Sequence, residues 1–231
     1  MNIRADTLST PEPVTIQVNE IIRVSGLMQR PRGARACLVL AHGAGADMTH
    51  PFMAGIANDL AARSIATLRY QFSYMERGGK RPDAPPLCHA TVRAAALTAR
   101  KLAPRLALVA GGKSFGGRMT SQAQADSPLP GVRGVAFLGF PLHAPNKPSS
   151  TRAEHLLQVR IPMLFLQGTR DALADLTLMR RLVKQLGKIA TLKILSGADH
   201  SFHVLVRSGR TDNEVRSELA DSLATWIASL T

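Results

Sequence analysis

The segment LVAGGKSFGGRM, residues 108–119, sets two chemistries against each other at Ser114. Gly112-Lys113-Ser114 matches the end of a phosphate-binding loop, where the serine would hold a magnesium ion beside a nucleotide. Gly112-Lys113-Ser114-Phe115-Gly116 also matches Gly-x-Ser-x-Gly, the strand-to-helix turn that presents a serine as a nucleophile. A phosphate loop needs a further glycine ahead of Gly112, and Ala107 stands at that position, in the apolar run LALVA. A dinucleotide fingerprint fails too, since Gly43-Ala44-Gly45 is followed by Ala46-Asp47-Met48 without a third glycine. The nucleophile turn is complete. A sharply bent backbone at Ser114 needs small neighbours two residues away on either side, and Gly112 and Gly116 are those neighbours. Lys113, the residue that points to phosphate, is expected to direct its side chain away from the reacting atoms.

A serine hydroxyl is a poor nucleophile near neutral pH and needs a base, which in turn needs an orienting acid. In this strand-turn-helix arrangement the chain order is serine, acid, histidine, each on a loop after a strand. Asp171 follows the strand-like run PMLFLQGT and one arginine. It is preferred to Asp175, which reads as the N-cap of a following helix. His200 lies in SGADHSF, just past the last strand-like run, and is preferred to the later His203. The tetrahedral intermediate also needs two backbone donors. Phe115 N–H is one, and the glycine-rich loop AHGAGADM, residues 41–48, supplies the other through Ala44 or Gly45, with Ala44 the first choice. His200 and His203 make a poor metal site, since no third ligand sits at a suitable spacing.

Composition excludes several classes. The chain has 231 residues and 45% hydrophobic content, enough for one folded core. No apolar run is long enough to span a membrane, and MNIRADTLSTPEPV has no signal-peptide pattern. Cys37 and Cys88 have no disulfide or metal spacing, so a cytoplasmic location is expected. The formal net charge of +13 raises the question of a nucleic-acid partner. The cations are dispersed, however, and aromatic residues are only 4%, so a solvated basic surface is the preferred reading. Arg180, Arg181, Lys184 and Lys188 form the densest group, on one predicted helix. The sequence carries no signal for an oligomeric state.

The elements that must position these residues follow from periodicity. Residues 1–13 read as a loose lead-in, and 14–231 as a single domain. The runs 14–18 and 21–29 alternate as an antiparallel strand pair. The run 36–43 has the continuous apolar character of a central parallel strand. Helices are expected at 51–63, 89–102, 115–125, 175–187 and from Thr211, with a short one near 152–158. Strands are expected at 65–72, 106–112, 134–140, 162–169 and 191–195. Residues 73–88 read as a long proline-bearing loop. Thr211-x-x-Glu214 fits a capping box, followed by Val215, Leu219, Leu223, Trp226 and Leu230 on one helical face. Alternating strands and helices predict an α/β fold with a mostly parallel sheet and helices on both faces.

The segments LVLAHGAGADMTHPFM, GGKSFGGRM, FLGFPLHAPNKP, LFLQGTRDAL and GADHSFHVLVRSGRT together resemble the α/β-hydrolase superfamily. At finer grain the chain is similar to a small dienelactone-hydrolase-like group, whose bacterial members are called predicted hydrolases and which includes an animal testis-expressed relative. The resemblance implies the α/β-hydrolase fold with a minimal cap or none, and a triad of Ser114, Asp171 and His200. It also implies no cofactor and a small-molecule acyl substrate. Dienelactone hydrolases carry a cysteine at the elbow, so their lactone specificity does not transfer to Ser114. Loop positions at the strand ends make His143, Met48 and Met75 candidate substrate-binding residues. His50, Phe72, Tyr74 and Leu142 share that setting. The short interval 141–161 leaves room only for a minimal cap, so an open site is expected. Ester or thioester hydrolysis is the expected activity. A non-catalytic binding module with a basic surface and a serine peptidase or amidase are the alternatives.

Overall fold

The computed structural model describes residues 9–231, so most of the expected lead-in lies outside the described residues. The core is an eight-stranded sheet in the order β1-β2-β4-β3-β5-β6-β7-β8. Strands β1 (Glu12–Gln17) and β2 (Arg23–Gln29) pair antiparallel. β2 joins β4 (Ile65–Tyr70) antiparallel. From there the sheet is parallel through β3 (Ala36–Ala41), β5 (Ala107–Lys113), β6 (Val132–Leu138), β7 (Met163–Gly168) and β8 (Ala190–Leu195). β1 begins at Glu12, inside the stretch expected to be loose, because its backbone pairs with Met28 of β2.

Side-chain alternation along β3 shows how the layers form. Leu38 and Leu40 face α1 (Pro51–Ala61) and α6 (Asp212–Ala228), meeting Met53, Ile56, Leu60, Leu219 and Leu223. Cys37, Val39 and Ala41 face the other layer, where α3 (Pro85–Leu102) and α4 (Phe115–Asp126) contribute Val92, Ala95, Ala99, Met119 and Ala123. A period of two on the strand therefore feeds two cores. A third apolar cluster joins β6 and β7 to α5 (Leu176–Leu186) through Phe137, Phe165, Met179 and Leu182. Gly134 makes room for α6, since a Cβ there would lie 2.7 Å from both Trp226 and Leu230.

The region 73–88 is more ordered than its prolines imply. α2 (Ser73–Glu76) is a single turn, and α3 begins at Pro85. Pro85 and Pro86 occupy the first helical turn, where the missing N–H has no intrahelical partner to lose. The capping box forms as expected: the Thr211 hydroxyl accepts from Glu214 N–H, and the Glu214 carboxylate accepts from Thr211 N–H. Arg180, Arg181, Lys184 and Lys188 are all exposed, which fits a solvated face. Cys37 and Cys88 are buried free thiols. Among the described residues no helix is long and apolar enough to cross a membrane.

Candidate active site

The loops that follow β3, β5, β7 and β8 meet at the C-terminal edge of the sheet. Ser114 sits between β5 and α4 with φ of 50° and ψ of −115°. A non-glycine residue held there is strained, and its neighbours must give way. A Cβ on Gly112 would lie 2.6 Å from the Ala41 carbonyl oxygen, and one on Gly116 only 2.4 Å from that of His42. Both glycines are thus demanded by close passage of the β3 backbone. The turn is fixed further by Ser114 N–H donating to Leu138 C=O at 3.1 Å.

His200 lies with its Nε2 2.8 Å from Ser114 Oγ. Its Nδ1 lies 2.7 Å from Asp171 Oδ2. The carboxylate accepts the Nδ1 proton, which leaves Nε2 as the acceptor facing the serine hydroxyl. Asp171 is fully buried at its side chain. Its Oδ1 accepts from Leu173 N–H at 2.8 Å, and Gln167 Nε2 donates to Oδ2. Gln167 Oε1 in turn accepts from Phe140 N–H at 3.1 Å, tying β7 to the end of β6. Gln167 was not singled out from the sequence. A polar residue inside the apolar run MLFLQG is the signal that marks it.

The two rival residues occupy other positions. Asp175 caps α5, its Oδ1 accepting from Leu178 N–H at 2.9 Å. His203 pairs with Asp212 at 2.9 Å on the exposed side of the loop, and this neighbour raises its pKa. The turn carrying His200 is braced by Asp199, whose Oδ1 accepts from Ser201 and His203 N–H groups. Among the described residues, no cluster of three or more His, Cys, Asp or Glu side chains is arranged to hold a metal ion.

Lys113 does not point away from the reacting groups. Its Nζ donates to the backbone carbonyl of His200 and lies 5.3 Å from the centre of the Phe202 ring. Burial pushes the ammonium down to about 8, with Asp171 and Asp199 acting in the opposite direction. The elbow and the histidine loop are therefore joined both through Ser114 and through its neighbour.

Two cavities reach Ser114. One, of about 250 Å³, is lined by Gly43, Ala44, Gly45, His50, Phe52, Met53, Lys113 and His200. The other is a groove of about 440 Å³, lined by Ala44, Phe115, Arg118, Met119, Pro141, Arg152 and Leu173. Ala44 and Ser114 border both. Phe115 opens α4, so its N–H has no intrahelical acceptor. Between β6 and β7 the chain forms only a 3-10 segment, Thr151–Gln158, so nothing longer covers the site from there.

Met48, Met75 and His143 line neither cavity, in contrast to the expectation from loop position. His143 is buried, with Nδ1 on Ala144 C=O at 2.8 Å and Nε2 accepting from Asp175 N–H at 2.8 Å. Met75 packs against the α3-side core. The Met48 backbone accepts from Arg69 and donates to Gln71. His50 does line the smaller cavity, whereas Phe72, Tyr74 and Leu142 are core residues. His42 was also missed: its buried ring donates through Nδ1 to Gly43 C=O and accepts from Phe72 N–H at 3.0 Å. Desolvation lowers its pKa, in keeping with a neutral ring.

The alpha/beta hydrolase domain family model matches residues 34–228. The chain belongs to that family. The fold agrees with solved structures across nearly their whole lengths. A dienelactone hydrolase from Anabaena variabilis is 21% identical, with a TM-score of 0.77 over 97% of this chain and 99% of that one. An alpha-beta serine hydrolase homologue from Coxiella burnetii is 21% identical, with a TM-score of 0.73 over 92% and 97%. A Xanthomonas campestris protein described as an a/b serine hydrolase without lid is 17% identical, with a TM-score of 0.71 over 94% of each chain.

Proposed function

We propose that this family member is a serine hydrolase that cleaves carboxylic esters, thioesters or related acyl bonds through an acyl-enzyme. The observation that carries the reading is one continuous chain of contacts: Ser114 Oγ to His200 Nε2 at 2.8 Å, and His200 Nδ1 to Asp171 at 2.7 Å. Ser114 Oγ attacks the acyl carbon while His200 Nε2 takes its proton. Asp171 keeps the imidazole oriented and stabilises the imidazolium. Charge gathers on the former carbonyl oxygen, and the Phe115 and Ala44 N–H groups are the donors assigned to it. His200 then gives its proton to the leaving alcohol or thiol as the C–O or C–S bond breaks. Water repeats the sequence on the acyl-serine and releases the acid. Lys113 holds the His200 backbone at the distance this proton transfer needs. No step calls for a metal or cofactor.

The test is turnover of short activated esters by the wild type and by Ser114→Ala. The variant should lose a factor of about 10⁴ to 10⁶ in kcat. A well-folded wild type that hydrolyses no activated ester contradicts the reading.

A further inference from the structure

The wider groove beside Ser114 carries two cations. Arg118 stands in the first turn of α4, and its backbone N–H donates to Ser114 C=O at 3.1 Å, so its place relative to the serine is fixed. Its side chain is half-buried, and Nε is a buried donor without a hydrogen-bond partner among the described residues. Arg152 reaches the same groove from the 3-10 segment and is also half-buried. Among the described residues neither guanidinium forms an ion pair. Burial and the neighbouring Arg152 both lower the pKa of Arg118, the mark of a cation held near another cation. The acid on this wall, Asp83, is ion-paired through Oδ1 with Arg77 at 2.6 Å, and its Oδ2 is buried without a hydrogen-bond partner among the described residues. Phe115, Met119 and Leu173 supply apolar wall to the same groove.

Two partly desolvated cations at one groove repel each other. A carboxylate between them relieves that repulsion, because the terminal guanidinium nitrogens can donate to its oxygens.

We propose that this groove is a carboxylate subsite, and that the preferred substrate is an acyl ester whose acyl chain ends in a carboxylate. This rests on the acyl-transfer reading of Ser114. The carboxylate is a spectator: water cleaves the ester C–O bond, and a dicarboxylate and an alcohol leave.

The test compares the p-nitrophenyl half-ester of glutarate with neutral p-nitrophenyl pentanoate. The wild type should favour the half-ester in kcat/KM by about tenfold or more, mainly through KM. Arg118→Met and Arg152→Met should each bring that ratio close to one. A ratio near one in the wild type, or a ratio unaltered in both variants, overturns the proposal. Binding of the same two esters to Ser114→Ala, followed by calorimetry, separates the two claims. If no ester is turned over yet the half-ester binds more tightly in an arginine-dependent way, acyl transfer fails and the subsite stands. If turnover is present and the charge makes no difference in either measurement, the subsite fails and acyl transfer stands. Should Arg118→Met fail to fold, Arg152→Met on the 3-10 segment decides the matter.

Discussion

His143 and His200 both follow strands at the C-terminal edge of the sheet, yet their rings are used differently. His143 spends both nitrogens on backbone groups, Ala144 C=O and Asp175 N–H. His42 does the same with Gly43 C=O and Phe72 N–H. These rings fasten one loop to the next, and neither nitrogen is left for a substrate. His200 instead meets two side chains, a buried carboxylate and a serine hydroxyl held on a strained turn. A histidine closed by backbone partners is scaffold; one between an acid and a hydroxyl can exchange protons.

Substitution should separate the two regions. His200→Ala should lower kcat by about 10⁴-fold or more while leaving the fold close to wild type, since the ring is partly exposed. Unchanged turnover in that variant would remove the distinction. Gly116→Ala comes next in size. Its Cβ would meet the His42 carbonyl oxygen at 2.4 Å, so the elbow should be destabilised by about 3 kcal/mol or more, read from urea unfolding. His143→Ala leaves Ala144 C=O and Asp175 N–H without partners and should cost about 1–3 kcal/mol of stability. Its effect on kcat should be far smaller than that of His200→Ala. A loss of turnover equal to that of His200→Ala, without a loss of stability, would return His143 to the reaction.

The smallest effect concerns His155, which faces Ser121 Oγ at 2.8 Å. Burial, Arg118 and His89 push its pKa down from 6.5 to about 4. The unfolded chain therefore takes up the proton first as pH falls. The contribution of the neutral ring is complete above the unfolded pKa and is lost on acidification toward the folded one. Between about pH 7 and about pH 5 the urea midpoint should fall more in the wild type than in His155→Gln. Parallel slopes would show that this ring does not set the acid response.

The elbow was legible because its evidence is local: glycines at fixed offsets between an apolar strand and a helix. Asp171 and His200 were legible from strand-end position, and Thr211 from its offset to Glu214. Side-chain direction was not. Met48 and His143 lie on loops and Met75 in the single turn α2, but whether such a side chain faces a cavity or the core depends on tertiary packing. Lys113 failed for the same reason, since its contact with the His200 carbonyl joins loops far apart in the chain. The region 73–88 was misread because Pro85 and Pro86 break a helix in its interior but begin one at its first turn. Arg118 carried no periodic signal. Its meaning depends on Arg152, which only the fold brings to the same groove.

Ser114 can be tested directly with a fluorophosphonate probe. Intact-mass and peptide analysis should find one covalent adduct, on Ser114, that disappears in Ser114→Ala and forms far more slowly in His200→Ala. A folded wild type that takes no adduct, or takes it at another residue while Ser114 stays unmodified, would contradict the account.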